Sequence, residues 1–332
     1  LAGRDFCGTL FPTGRSAALL PVVTLTLNPA LDLAVETAKV VPGPKLRCSA
    51  PAVHPGGGGI NVSRVIRRLG GRTLALAALG GVTGDRLAAL LAQEGVTLAP
   101  LPCRGETRES LTVTDAGTGQ QFRFVLPGPA WRRRDADSAL SAAVAAVGPG
   151  QFLVLSGSLP PGVPADFALR LARRIARKGA WLAIDTSGAA LAAAIAGQAR
   201  MALLRLDAAE AEAQAGRPLT TARDSADYAL SLVRAGAADR VVLARGAEGS
   251  VMAGPEGRFL VRAPAVPVQS RIGAGDSFMA AMVLALARGR PPVRALQEGM
   301  AAASATVMTP ATDLCRAADA RRLIGACPVE PV

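Results

Sequence analysis

The chain has 332 residues, half of them apolar and 19% charged, so it can bury a sizeable core and is not an intrinsically disordered polymer. A single histidine, His54, excludes a multi-histidine metal site, and 3% aromatic residues leave little for base-stacking platforms. The formal charge of +12 comes almost wholly from scattered arginines; it reads first as a solvated basic surface and second as a field for anions such as phosphates, without the basic helix of a DNA-binding protein.

Residues 1–20 carry Arg4, Asp5 and Arg15 and break at Pro12 and Gly14. They make a poor signal peptide and read as a disordered extension ahead of one domain over 21–328. Strands and helices then alternate. Strands are expected at 22–27, 73–79, 152–155, 181–184 and 240–244, with another ending at Leu203-Leu204. Helices are expected at 60–69, 85–93, 165–178, 276–288 and 293–307, and one beginning near Asp207. Such alternation predicts βαβ units, a mostly parallel sheet and ligands at the carboxyl ends of its strands. Two stretches break the rhythm, about 33–53 and 110–125, where paired strands follow turns with no helix between. They predict a small projecting β-sheet, a lid over a site or a dimer interface. The cysteines are Cys7, Cys48, Cys103, Cys315 and Cys327, with no CxxC, so neither a disulfide scaffold nor a zinc site is indicated and a reducing cytoplasm is expected. No run of 18 residues is purely apolar, so no membrane span is expected.

Two glycine turns stand out. Pro55-Gly56-Gly57-Gly58-Gly59-Ile60-Asn61 opens a helix, where glycine allows close backbone approach and free N–H groups face a ligand. A flexible surface turn is the plainer reading, weakened by Pro55 and the immediate helix. Ile272-Gly273-Ala274-Gly275-Asp276-Ser277 also runs into a helix, whose positive end suits a transferring phosphoryl group. There Asp276 is either a plain N-cap or a base that takes a hydroxyl proton. Neither turn is a Walker A loop or a dinucleotide-binding fingerprint. Asn61 and Asp276 lie roughly 215 residues apart, and the pair is far more specific than either turn alone.

Together the turns resemble the two signatures of the ribokinase-like (PfkB) carbohydrate kinases, over about residues 22–325. The likeness is strongest to the phosphofructokinase branch, through LTLNPALD at 25–32, KLRCSAP at 45–51, FRFVLPG at 122–128 and SGSLPPG at 156–162. The resemblance implies an α/β protein: a three-layer α/β/α fold with a mostly parallel central sheet and a small β-sheet lid. It puts Asp32, Gly57, Gly58 and Asn61 on sugar hydroxyls and Lys45, Arg47 and Arg108 on a sugar phosphate, with Ser158 closing that site. Asp276 becomes the catalytic base, with Gly273, Ala274 and Gly275 as its anion hole. Glu210 would hold Mg²⁺ through water, with Arg205, Asp207 and Gly246 on ATP. The implied reaction is phosphorylation of fructose 6-phosphate at its C1 hydroxyl by a homodimer joined through the lid.

Three departures touch the donor half. Arg205-Leu206-Asp207 replaces a Lys-Pro-Asn, and Ala244-Arg245-Gly246 alters the nucleotide loop. Thr309-Pro310-Ala311-Thr312-Asp313 replaces a loop of the family associated with a monovalent cation, which leaves that cation open. 1-Phosphofructokinase and tagatose-6-phosphate kinase keep the same motifs and stay open as alternatives. So does a sugar-phosphate-binding protein without catalysis. Nucleic-acid and membrane partners are not expected.

Overall fold

Aliphatic and β-branched runs, separated by amphipathic helices, build a ten-stranded sheet in the computed structural model, which describes residues 21–332. The expected extension, 1–20, lies outside the described residues. Across the sheet the strands run Val329–Pro331, Gly257–Arg262, Gly249–Gly254, Val241–Ala244, Leu203–Leu206, Trp181–Asp185, Phe152–Ser156, Val22–Thr26, Thr73–Leu79 and Thr97–Pro102. From Val241–Ala244 to Thr97–Pro102 every pairing is parallel. The strands before them join antiparallel. The parallel strands are buried on both faces, which is why Val22–Thr26 is an unbroken buried run.

Alternate residues feed two cores. Val23, Leu25, Leu153 and Leu155 share one core with the helices Arg133–Ala146, Phe167–Arg177, Gly188–Ala196 and Ala222–Arg234. Val22, Phe152 and Val154 share the other core with Gly58–Arg68, Ala274–Ala287, Pro292–Val307 and Ala317–Leu323. This is the three-layer arrangement expected. A second sheet of four strands, in the order Ala52–Gly56, Ala30–Thr37, Arg108–Asp115 and Gln121–Val125, stands on the two irregular stretches. Its register puts Asp32 opposite both His54 and Ser110.

Several boundaries differ from expectation. Leu203 opens its strand instead of ending it. The helices at 58 and 274 begin two residues early, because a glycine at positive φ, not a polar side chain, serves as N-cap. The hairpin Gly249–Gly254/Gly257–Arg262 was not expected at all. Among the described residues, no helix is long and apolar enough to cross a membrane.

Candidate active site

The first glycine turn is packed against the sheet rather than standing free on the surface. Gly57 caps the helix at φ 108, a conformation side chains rarely adopt. A Cβ on Gly58 would stand 2.3 Å from Ser156 Oγ and 2.6 Å from Gly157 N. The helix Gly58–Arg68 is thereby pressed against the carboxyl end of strand Phe152–Ser156. The second turn is built alike. Gly273 caps at φ 74, and Gly275 lies so close to Arg205 that a Cβ would meet its guanidinium at 2.9 Å.

The two turns meet. Asn61 Nδ2 donates to Asp276 Oδ2 at 2.9 Å, and Ser156 Oγ donates to Asp276 Oδ1 at 3.3 Å. Asp276 is therefore no plain cap: Gly273 holds that position, and the carboxylate turns toward the other helix. Loss of water pushes its pKa up to about 6, and the Asp185 charge adds to this; Asn61, Arg205 and Ser156 oppose it. The Asn61 amide is itself oriented. Its Oδ1 accepts from Arg64 Nη1 at 3.2 Å, which leaves Nδ2 for the aspartate. Arg64 is 1% exposed; it also donates to Pro55 O at 2.9 Å and forks onto Glu94 at 2.7 and 2.8 Å.

Asp276 lines a cleft of about 220 Å³ with Ser158, Asp185, Arg205, Glu210, Gly273 and Gly275, among others. Arg205 Nη1 donates to Asp185 Oδ2 at 2.8 Å, and its guanidinium lies 5.7 Å from the Phe278 ring centre. Glu210 and Asp207 form a reciprocal capping box, each accepting from the other's backbone N–H at 2.8 Å. Burial holds the Glu210 carboxyl above its usual range. No group of three or more potential ligands forms a metal cage among the described residues. Asp185 and Glu210 in one cleft nevertheless suit Mg²⁺, which keeps its waters and takes one or two carboxylates beside phosphates.

On the acceptor side, Asp32 stands over Gly56, where a Cβ would come within 2.1 Å of its Oδ2. Burial pushes Asp32 up to about 6 against the opposing charges of Arg108, Arg123 and Arg64. Arg108 Nη2 donates to Asn28 O at 3.2 Å, and Asn28 Nδ2 donates to Ser158 Oγ at 3.0 Å. This ladder joins the small sheet to the cleft.

The remaining expected residues lie elsewhere. Lys45 and Arg47 sit on an exposed loop and make no ion pair among the described residues. Asp207, Gly246 and Ala274 do not line the cleft. Arg245 turns away, paired with Glu248 at 2.7 Å and donating to the carbonyls of Leu219 and Thr220 at 3.0 Å. Asp313 pairs with Arg68 at 2.9 Å. Asp185, Ser156 and the Arg64–Glu94 pair were not expected. For Asp185 the one available signal was its place at the carboxyl end of a parallel strand.

The pfkB family carbohydrate kinase model matches residues 18–319. An ATP-dependent 6-phosphofructokinase isozyme 2 of Mycobacterium tuberculosis is 38% identical over 301 residues, covering 91% of this chain and 88% of the relative. The protein of that name from Escherichia coli is 39% identical over 305 residues, covering 92% and 98%. The crystal structure of Escherichia coli phosphofructokinase-2 in complex with substrates and products matches at TM-score 0.88, with 38% identity, over 92% of this chain and 99% of that one.

Proposed function

The chain belongs to the pfkB family of carbohydrate kinases, and on that premise we propose that it uses ATP to phosphorylate fructose 6-phosphate at the C1 hydroxyl, giving fructose 1,6-bisphosphate. The observation that carries the reading is the 2.9 Å contact between Asn61 and Asp276, which sets a base of raised pKa at the mouth of the glycine cradle. Asp32, Gly57, Gly58 and Asn61 hold the sugar hydroxyls, with Ser158 at the edge. Arg108, together with Lys45 and Arg47 from their exposed loop, is assigned to its phosphate, a role that suits the guanidinium fork.

Asp276 accepts the C1 hydroxyl proton while that oxygen attacks the γ-phosphorus and the bond to the β-phosphate oxygen breaks. The turn Gly273-Ala274-Gly275 offers the N–H groups of a helix start to the charge that develops. Arg205 adds a positive charge to that wall. Asp207 and Gly246, which stand outside the cleft, are assigned to the nucleotide end. Mg²⁺, when bound with the donor, offsets charge between the β- and γ-phosphates, and Glu210, through water, and Asp185 are the residues that would hold it. Free thiols at Cys48, Cys103, Cys315 and Cys327 suit a reducing compartment such as the cytoplasm, and the proposed reaction is a step of glycolysis.

The test is a coupled ADP-release assay on fructose 6-phosphate, fructose 1-phosphate and tagatose 6-phosphate. Fructose 6-phosphate is expected to give the highest kcat/KM. A higher value for either other sugar, or sugar binding with no ADP from any, overturns the proposal.

A further inference from the structure

A second cavity, of about 340 Å³, opens between His54, Arg67, Arg68 and Glu94. Its one acidic lining residue, Glu94, is held by the buried Arg64 fork, and the lining Arg68 is paired with Asp313 at 2.9 Å. Arg67 is exposed and has no ion pair among the described residues, so the cavity keeps a net positive charge.

Arginines in the last turn of a helix ordinarily serve its carbonyl end. Here that end is closed by the backbone itself: Leu69, Gly70 and Gly71 donate to Val65 O, Arg67 O and Ile66 O at 2.9, 3.0 and 2.8 Å. Arg67 is therefore not needed as a cap. His54 Nδ1 lies 2.7 Å from Thr312 Oγ1. With the hydroxyl as donor, the ring carries its proton on Nε2 and adds a neutral donor to the wall. Burial, then the Arg64 charge, hold this histidine below its usual pKa, so it stays neutral near pH 7.

We infer that this cavity is a second binding site, for a small anion bearing a phosphate or paired carboxylates, and that its occupancy changes affinity for the sugar phosphate. Both walls lead to the catalytic centre. Glu94 holds Arg64, whose Nη1 orients the Asn61 amide against Asp276. Arg68 donates to Leu314 O at 2.7 Å, and the Leu314 side chain packs on Gly273, where a Cβ would meet it at 2.5 Å. An anion that draws Arg68 from Asp313 disturbs the second turn, and one that repels Glu94 disturbs the first.

The test compares the full chain with Arg67→Ala, a change at an exposed side chain outside the catalytic machinery. Inorganic phosphate and malonate are titrated calorimetrically into each protein, with and without fructose 6-phosphate. The expected result is at least a ~10-fold loss of affinity for one of the two anions in the variant; the anion that responds gives the ligand class. Saturation with that anion should move fructose 6-phosphate affinity by at least ~5-fold in the native chain and not in Arg67→Ala. Equal anion binding by the two proteins, or a sugar affinity that the anion leaves unchanged, overturns the inference. The coupling arm rests on the proposed acceptor. Absence of any sugar binding would refute that acceptor, while anion binding without the sugar would still be read from the Arg67 difference.

Discussion

At Asp276 a desolvated site raises the proton affinity of a carboxylate that must be ionised to act. Its replacement by Asn keeps a side chain of the same shape and removes the base. Steady-state kinetics should show kcat lower by ~10²–10⁴-fold, with KM for the sugar within a few-fold. The same desolvation fixes the pH dependence. Asp32 and Asp276 are each raised from 3.8 to about 6, and both are needed ionised. kcat/KM should therefore rise with pH through about 6 and level off above it. Below that the fall should be steeper than one proton allows, and Asp32→Asn should restore a one-proton limb in a pH–rate profile. Asn61 and Asp276 were legible in the sequence because each sits on its own glycine turn. Arg64 and Asp185 were not, since their partners Glu94 and Arg205 lie 30 and 20 residues away and only the fold brings them together.

The helix Gly58–Arg68 shows how one element serves chemistry and stability together. Among the described residues, its buried Arg64 is ion-paired only with Glu94. Glu94→Ala should cost about 3–5 kcal/mol in urea unfolding, because it leaves a buried charge unpaired. An Arg64→Met, Glu94→Met double variant should recover much of that stability. Its kcat should stay low, since the Asn61 carbonyl has lost its donor and the amide no longer faces Asp276 in a fixed orientation. At this scale the buried parallel strands were the easiest to read: Thr73–Leu79 falls where its apolar run predicts. Helix starts were less legible because glycine caps carry no side-chain signal. The hairpin closing at Gly254 and Gly257 went unread because its turn, Pro255-Glu256, does not resemble the usual two-residue hairpin pairs.

For the whole molecule, the small sheet is the region that asks for a partner. Phe122, Phe124, Val125 and Leu126 lie exposed on or beside its outer strand, Phe124 at 53%. We propose that a second copy covers them, as the homodimer reading expects. Sedimentation of the native chain should then give twice 33.7 kDa, and Phe124→Asp should give a single chain with weaker sugar binding. The layered class of the fold was legible from the alternation of strands and helices. Strand order was not: Val22–Thr26, first among the described strands, lies in the interior between Phe152–Ser156 and Thr73–Leu79, an arrangement set by helix crossovers rather than by local pattern. The two outermost strands of the large sheet have a consequence of their own. Pro100 and Pro102 sit on one, and Pro331 on the other. Proline has no N–H to lend a neighbour, so each flank offers fewer donors to an incoming strand. End-to-end stacking between molecules is disfavoured there, and self-recognition falls more readily to the smaller sheet.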